Sequence, residues 1–381
     1  MRLLHTADLH IGKNVNNFSM LEEQKKVLGD MVNLAREYRA QAFLIAGDVY
    51  DRAIPTAEAV MLLNDFLEKL SELGIPVLMV SGNHDSPERL GFAAGILEKE
   101  GIHIAGVYED KLQQVVLQDE YGEVVFTLMP YVKPQQLEEK NCDSAVKKML
   151  ADSEVFALEK KVRHVLVTHY FVTNGSKSPE ISDSETSVNV GGLDNVDCNN
   201  FSNFCYTALG HIHKPQRMDK DVDSKSQPIV YAGSPIAYSF SECNQEKSIV
   251  MVDIDKEGNV ELERLPLQPI HRMRKIRGRL EELIKPEVVE LADREDYLQV
   301  TLTDEEELIE PMATLNSVYP NVMQIVLEKK EKELEGAFEI VDSARSMSLQ
   351  DLFANFYKQI KNEEMCEIRR GIIEEVVKEV T

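Results

Sequence analysis

Apolar residues in the first part of the chain fall into short runs, and each run ends in polar side chains. Residues 1–7, 42–46 and 76–81 are largely apolar and predict buried strands. Between them, residues 19–38 have apolar side chains at helical spacing, and 55–73 predict a helix opened by Pro55 and ended by Gly74. This order of strands and helices predicts an α/β sheet, in which sites lie beyond the carboxyl ends of the strands.

The later part of the chain predicts weaker strands and then a change of domain. Strands are predicted at 102–105, 115–117, 124–129, 165–168, 206–209 and 229–235, a helix at 144–160, and a hairpin at 248–254 and 260–265. After a boundary at 266–269, a small α+β unit is predicted, with helices at 279–284 and 305–318 and strands at 297–302 and 322–328. Residues 349–360 and 363–380 predict two amphipathic helices after a charged linker. The expected domains are 1–267, 268–330 and 345–381.

Composition bounds the class of protein. The 381 residues, 43% of them hydrophobic, fit one large domain with appendages. No run of eighteen apolar residues occurs, so no transmembrane helix or membrane partner is expected. The start of the chain also lacks the apolar stretch of a signal peptide. The five scattered cysteines predict free thiols rather than disulfides or a zinc site, and we expect a cytoplasmic protein.

The net charge of −24 argues against a protein that grips nucleic acid along its whole surface, because such a grip needs a basic face. The charge leaves room for a nuclease with a local grip, or for a partner subunit that supplies the positive charge. Residues 271–279 are an exception in this acidic chain, with five basic residues and no acidic one. They could contact a phosphate or form an ordinary solvated strand or loop.

The polar ends of five predicted strands carry the chemistry. In order, they present Asp8 and His10, Asp48, Asn83 and His84, His169, and His211 and His213. Carboxylate, amide and imidazole donors suit Mn²⁺, Fe²⁺ or Zn²⁺ and lack the thiolates of a structural zinc site. Leaving His84 aside, seven ligands are too many for one ion but suit two ions that share a carboxylate. Asp48, from the middle strand end, is the natural bridge.

Two divalent ions at about 3.5–4 Å form a clamp for in-line attack on phosphorus. His84 would lie beside the metals and donate a proton to the leaving oxygen, with Asp85 as the carboxylate that orients it. Each strand end has an ordinary alternative when taken alone, such as a turn for Asp8 and His10 or a satisfied polar residue for His169. Five such ends after five strands favour the dinuclear centre.

The motifs resemble a known family. Asp8-Leu9-His10, Gly47-Asp48, Gly82-Asn83-His84-Asp85, His169 and Gly210-His211-Ile212-His213 look like the motif series of calcineurin-like metallophosphoesterases. Residues 4–12, 46–55 and 210–216 are similar to the DNA-repair nuclease branch, the SbcD family of bacterial exonuclease subunits. The resemblance spans the chain. It implies a β-sandwich flanked by helices, a small α+β capping domain that frames DNA, and C-terminal helices.

The resemblance also implies ligands and roles. Asp8, His10, Asp48 and His213 would hold one ion, and Asp48, Asn83, His169 and His211 the other. The ions would be Mn²⁺, His84 would be the catalytic acid, and Asp85 would support it. The family implies DNA as substrate, cut at ends and hairpins, and a dimer of nucleases joined to a dimer of the coiled-coil ATPase SbcC. The apolar stripe of the C-terminal helices would then dock on the SbcC coiled coil, or else pack on the chain's own core.

Two alternatives stay open at this point. One is a different phosphodiesterase or phosphatase with the same metal core and a smaller substrate. Asp51-Arg52 resembles the phosphatase motif, but Ala53 stands where phosphatases usually have Gly, and Asp85 stands where they have Glu. The other is a scaffold that keeps the site as a relic, which the complete ligand set disfavours.

Overall fold

The computed structural model describes residues 1–153, 163–175, 177–185, 193–219, 227–328 and residue 369. Its strands are β1 (Arg2–Thr6), β2 (Asn14–Val15), β3 (Phe18–Ser19), β4 (Ala42–Ala46), β5 (Val77–Val80), β6 (Ile102–Ala105), β7 (Gln113–Asp119), β8 (Gly122–Met129), β9 (Arg163–His169), β10 (Phe171–Thr173), β11 (Asn195–Asp197), β12 (Tyr206–Gly210), β13 (Gln216–Arg217), β14 (Ile229–Tyr231), β15 (Ser248–Ile254), β16 (Val260–Pro266), β17 (Met273–Gly278), β18 (Tyr297–Leu302) and β19 (Val322–Leu327). Its helices are α1 (Leu21–Glu37), α2 (Ala57–Glu72), α3 (Pro87–Leu90), α4 (Ala94–Leu97), α5 (Cys142–Asp152), α6 (Leu280–Leu283), α7 (Pro286–Val289) and α8 (Pro311–Asn316).

Two six-stranded sheets form a β-sandwich. The first has the order β16-β15-β1-β4-β5-β6, and the second has the order β13-β14-β12-β9-β8-β7. Alternate side chains of both sheets share one buried core, in which Leu44 and Val80 of the first sheet join Phe126 and Val167 of the second. This arrangement confirms the expected α/β fold of the calcineurin-like phosphoesterases, with a sandwich at its centre.

Parallel strands bring the predicted polar ends to one edge of the sandwich. β1, β4 and β5 run parallel in the first sheet, and β9 and β12 run parallel in the second. Their carboxyl ends therefore lie together, and each is followed at once by a residue of the predicted site. The two long helices of this unit bury one apolar face each, as in Val27 and Met31 of α1 and Phe66 and Leu70 of α2.

The chain divides into two compact units. One contains residues 1–275 and 295–298, and the other contains residues 276–294 and the chain from 299 onward. The three-stranded sheet β17-β18-β19 and the short helices α6, α7 and α8 make up the later part of the described chain. Within the second unit, the buried Leu315 and the Tyr319 hydroxyl, which donates to the Leu283 carbonyl at 2.9 Å, hold the helices together.

The element limits differ from the sequence predictions where local backbone chemistry intervenes. α2 begins at Ala57, because the Thr56 side chain, not Pro55, caps it by accepting from the Ala59 N–H. The helix predicted at 305–318 shrinks to Pro311–Asn316, because Glu310 is in the left-handed region with φ 45°. Gly74 ends the segment after α2 with φ 69°, as predicted.

Several predicted features can be compared only in part. The helix predicted at 144–160 is α5 up to Asp152, and its remainder lies outside the described residues. The two predicted C-terminal helices also lie outside them, apart from Arg369, which is helical. Among the described residues, four cysteines are free thiols, namely Cys142, Cys198, Cys205 and Cys243. None of the helices described here has both the length and the apolar character needed to cross a bilayer.

Candidate metal centre

The seven predicted ligands converge at the carboxyl edge of the sandwich. Each of three acid–imidazole groups has ligating atoms within 4.8 Å of one another: Asp8 with His10 and His213, Asp8 with Asp48 and His169, and His10 with Asp48 and His84. Asn83 joins the set through its amide oxygen, which lies 3.0 Å from His169 Nε2 and 2.9 Å from His211 Nδ1. The side chains predicted from five separate strand ends therefore occupy one site.

Asp48 is the geometric centre of this site. Its Oδ1 accepts a hydrogen bond from the His84 N–H at 2.9 Å, which fixes the carboxylate. Its Oδ2 faces both sides, at 3.7 Å from His10 Nε2 and 3.3 Å from His169 Nε2. One carboxylate oxygen thus lies between two groups of donors, which is the position of a bridging ligand.

One half of the site consists of Asn83, His169 and His211. The Ala46 carbonyl lies 2.8 Å from Nδ1 of His169, and donating to it leaves Nε2 as the lone-pair nitrogen of the neutral ring. That lone pair points at the amide oxygen of Asn83 and at Asp48 Oδ2. Acceptors that converge in this way without a donor between them need a cation.

The other half consists of Asp8, His10 and His213. The two Nε2 atoms of His10 and His213 lie 3.1 Å apart. Asp8 is fully buried; its Oδ1 accepts from the His211 N–H at 2.8 Å, and its Oδ2 has no hydrogen-bond partner among the described residues. A buried carboxylate oxygen without a partner is costly, and a bound cation would remove that cost.

Two glycines allow the backbone to approach this closely. A Cβ at Gly82 would lie 2.2 Å from Asp48 Oδ1, and a Cβ at Gly210 would lie 1.9 Å from the Ala46 carbonyl oxygen. Only glycine fits either position without moving a strand end. Four of the converging residues also have positive φ, at 53° for Asp8, 42° for His10, 48° for Asp48 and 97° for His211. Strained backbone of this kind persists where the surrounding structure enforces it, and it is common at functional sites.

Burial and neighbouring charges set the protonation of the site. Burial lowers the pKa of His10 to about 4 and that of His211 to about 3, so both rings are neutral and can offer a lone pair. Burial also raises the pKa of Asp8. Burial opposes protonation of His169, but the Asp48 carboxylate outweighs it and raises the pKa of His169 to about 9. In the absence of another cation, His169 itself takes up the positive charge.

These observations fit divalent cations. The donor set is oxygen and imidazole nitrogen without thiolate, as suits Mn²⁺, Fe²⁺ or Zn²⁺. Asp8, His10, Asp48 and His213 could hold one ion, and Asp48, Asn83, His169 and His211 the other.

His84 lies beside both halves and is half-buried. Its Nδ1 is 3.1 Å from the Asp51 carbonyl oxygen, which orients the ring. The predicted direct support from Asp85 differs from the observed contacts. The Asp85 carboxylate accepts from the backbone N–H groups of Val49, Tyr50 and Gly82 at 2.9–3.1 Å, so it fixes the loops on either side of His84 rather than the imidazole. Burial raises the pKa of Asp85 to about 6.

Several supporting residues were not predicted. Asp51 Oδ1 lies 2.6 Å from Lys13 Nζ and 3.6 Å from His10 Nδ1, and these two neighbours hold the pKa of Asp51 low although burial opposes them. The motif Gly47-Asp48-Val49-Tyr50-Asp51 contains the only signal that could have identified Asp51.

A buried network behind His213 was also not predicted. Ser184 Oγ lies 2.8 Å from His213 Nδ1 and donates to Glu242 at 2.5 Å. Glu242 is fully buried and pairs with Lys247 at 2.5 Å, and Lys247 also donates to the His213 carbonyl at 3.1 Å. Contacts of this kind fix the tautomer and orientation of a metal-binding histidine. The three residues come from separate loops, and no local pattern marks them.

Comparisons with known proteins agree with this geometry. Residues 1–215, more than half of the chain, match the calcineurin-like phosphoesterase family, and residues 269–361 match a family described as type 5 capsule protein repressor C-terminal domain. The chain is 29% identical over 390 residues to the D subunit of the nuclease SbcCD of Staphylococcus epidermidis, covering 99% of this chain and 98% of that protein.

Two solved structures overlap with the fold at low scores. One is the Thermus thermophilus protein TT1561, with 16% identity, a TM-score of 0.40 and coverage of 69% of this chain and 98% of that one. The other is a dimetal phosphatase from Danio rerio, with 12% identity, a TM-score of 0.40 and coverage of 70% and 99%. The family match over residues 1–215 decides the assignment. This chain belongs to the calcineurin-like phosphoesterase family.

Proposed function

We propose that the chain is a Mn²⁺-dependent DNA nuclease subunit that hydrolyses phosphodiester bonds at DNA ends and in hairpins. The observation that carries the proposal is the position of Asp48 Oδ2 between two sets of donors, with His84 beside them. The family implies divalent metal ions and phosphoester hydrolysis. The Staphylococcus relative, which is named as a nuclease and aligns over nearly the whole chain, supports DNA as the substrate.

The proposed ligands divide at Asp48. Asp8, His10 and His213 complete the shell on one side, and Asn83, His169 and His211 complete it on the other. When two divalent ions are bound, they lower the pKa of a water and neutralise charge on the phosphate. The chain's own contribution is to hold neutral imidazoles and fixed carboxylates at positions that strained backbone and glycine contacts define.

His84 is the proposed general acid. With Nδ1 directed at the Asp51 carbonyl, Nε2 is the nitrogen that gives its proton to the leaving oxygen. Asp85 serves this step indirectly, because its three backbone hydrogen bonds fix the segments that carry Asp48, Asp51 and His84. We therefore treat Asp85 as a positioning residue.

The proposed assembly is a nuclease dimer joined to a dimer of the coiled-coil ATPase SbcC. The name of the Staphylococcus relative includes such a complex. In this proposal residues 345–381 bind SbcC, and residues 268–330 frame the DNA. Of the basic residues in 271–279, Arg274 pairs with Asp296 and Arg277 with Glu328, both at 2.6–2.7 Å, whereas Lys275 and Arg279 are exposed. The exposed pair are the better candidates for a phosphate contact. We propose double-strand 3′–5′ exonuclease and single-strand endonuclease activity, in DNA recombination, replication and repair.

The direct test is cleavage of linear and hairpin DNA by the purified protein with Mn²⁺, with and without SbcC and ATP. Wild type should cut, and both His84→Ala and Asp48→Ala should not. Metal analysis should find ions retained in His84→Ala and lost from Asp48→Ala, because His84 is proposed to act beside the ions. Intact DNA under all conditions, together with hydrolysis of small phosphodiesters, would keep the metal centre and refute DNA as the substrate.

A further inference from the structure

A cavity of about 800 Å³ opens directly beside the metal centre. Asn83 and His211, which belong to the proposed ligand set, form part of its lining. Pockets of about 300–1,000 Å³ hold small organic ligands in proteins. Because the cavity shares two side chains with the centre, a group within it would be attached to whatever phosphate the centre holds.

Aromatic side chains form the wall next to the ligands. The Tyr131 ring lies 6.5 Å from the His169 ring and packs at 5.2 Å on Tyr170. On the other side, the Phe171 ring lies 6.2 Å from the His211 ring. Tyr131, Tyr170 and Phe171 all line the cavity, and packing against the second sheet holds them in place. Rigid aromatic walls are suited to flat, aromatic ligands.

Apolar side chains continue around the mouth of the cavity. Ile181 is 50% exposed and Leu193 is 55% exposed, although both are large hydrophobic residues. Exposed apolar groups around a concave pocket commonly mark a binding site. Burial of these two side chains by a ligand would be favourable.

The charged lining divides into free cations and engaged acids. Lys133 and Lys140 are exposed, and neither has an ion pair with any residue in the described ranges. Of the two acids, Glu185 accepts from the backbone N–H groups of Ser182 and His213, and Asp194 lies beside the Cys142 thiol. The ammonium groups are therefore available to a neighbouring phosphate.

We propose that this cavity is a nucleobase subsite, which takes the base of the nucleotide next to the scissile phosphate. The inference rests on the proposed function and specifies how that function recognises its substrate. The aromatic wall stacks on the base, Ile181 and Leu193 cover its edge, and Lys133 and Lys140 face the next phosphate. Stacking is insensitive to the identity of the base, so the subsite favours nucleotides over other diesters without selecting sequence.

The test compares two chromogenic diesters that share a leaving group. Thymidine 5′-(4-nitrophenyl phosphate) carries a base, whereas methyl 4-nitrophenyl phosphate does not. With Mn²⁺, wild-type kcat/KM should favour the thymidine ester by about tenfold, the usual scale of one stacked base. Phe171→Ala and the double variant Ile181→Ala/Leu193→Ala should lose most of that preference and keep their rate on the methyl ester. The double variant changes only exposed side chains, so it tests the subsite without disturbing the core.

A matched control and a binding measurement complete the design. Val116→Ala removes a 53%-exposed apolar side chain on β7, outside the cavity, and should keep the full preference. DNA with a terminal 2-aminopurine should lose fluorescence on binding to wild type with Ca²⁺ in place of Mn²⁺, and less so with Phe171→Ala. Hydrolysis of both esters at equal rates, or equal losses on both in the variants, overturns the subsite and leaves the phosphodiesterase standing. Hydrolysis of neither ester, with DNA also left uncut, overturns the proposed function and the subsite with it.

Discussion

Buried carboxylates occur at both edges of the sandwich, and the two edges treat them in opposite ways. At the start of β9, Asp119 accepts two hydrogen bonds from Arg163, at 2.6 and 2.7 Å, and both side chains are at most 4% exposed. At the end of the same strand, Asp8 and Asp48 are as deeply buried, but only histidines lie near them. One edge is electrically closed, and the other is left open.

The difference shows how a fold separates stability from binding. The Arg163 guanidinium matches the Asp119 carboxylate in charge and shape, so nothing further can bind there. Around Asp48, neutral imidazoles and an unpartnered Asp8 oxygen concentrate lone pairs that only a cation can satisfy. Strained backbone at Asp8, His10, Asp48 and His211 adds to the cost of that edge. The closed edge should therefore govern folding, and the open edge should govern metal binding.

The largest expected effect is on the closed edge. Asp119→Ala leaves the Arg163 guanidinium buried without its carboxylate, and we expect the free energy of unfolding to fall by about 3–5 kcal/mol. Urea unfolding followed by circular dichroism measures it. Asp65→Ala, which removes an exposed ion pair with Lys69, should change the same quantity by less than about 1 kcal/mol. Equal effects of the two variants would contradict the comparison.

The Asp119 pair should also determine part of the acid sensitivity. Arg163 lowers the pKa of Asp119 in the folded protein, so the pair stabilises the fold above the unfolded pKa of about 3.9. That contribution is lost as pH falls through and below this value. The stability gap between wild type and Asp119→Ala should therefore be constant from neutral pH to about pH 5 and shrink below about pH 4. A gap that persists unchanged at about pH 3 would exclude this origin.

The next effect belongs to the bridging residue of the open edge. Asp48→Asn should weaken Mn²⁺ binding in both halves by more than about 100-fold, since even supporting residues of a metal site cost about 10- to 100-fold. Isothermal titration calorimetry on chelator-treated protein measures the affinities. Asp119→Asn serves as the reciprocal control and should keep both affinities while the protein remains folded. Loss of only one ion in Asp48→Asn would show that the carboxylate does not bridge.

A smaller effect is expected one shell further out. Glu242→Gln weakens the link through Ser184 to His213 Nδ1, so binding of one ion should fall by about tenfold while the other is unchanged. Glu246→Gln, an exposed neighbour of the same loop, should change neither. Equal weakening of both ions would indicate a general loss of structure. Combining Glu242→Gln with Lys247→Met should restore stability but not affinity, because the double variant removes the unpaired charge.

The smallest effect has the opposite sign. Burial raises the pKa of Asp8, so its ionised form is less stable in the folded chain than in the unfolded chain. Asp8→Asn should therefore stabilise the metal-free protein near neutral pH, by about 0.5–2 kcal/mol. Added Mn²⁺ should stabilise wild type more than the variant. Thermal melting with and without a chelator measures both changes, and a lower melting temperature of Asp8→Asn in chelator would refute the stored cost.

The sequence predicted the open edge well, because its information is local. Asp8, Asp48, Asn83, His169 and His211 each follow an apolar run, and parallel strands bring such ends together. The β-sandwich came from the resemblance and not from periodicity, which could not show that two sheets would share one core.

The supporting contacts could not be predicted in the same way. Ser184, Glu242 and Lys247 come from separate loops, and Arg163 and Asp119 meet across 44 positions. No periodicity encodes such contacts, because they depend on how loops of particular lengths pack. The role of Asp85 was predicted incompletely for a similar reason. Its position next to His84 suggested a direct contact, but its side chain turns back to the backbone.

The central claim is that two cations share Asp48 Oδ2 at the open edge. Anomalous diffraction at the manganese edge, from crystals grown with Mn²⁺, tests it most directly. The account predicts two peaks about 3.5–4 Å apart with Asp48 between them, one bound by Asp8, His10 and His213 and the other by Asn83, His169 and His211. A single peak at full occupancy, or peaks that do not contact Asp48, would contradict it.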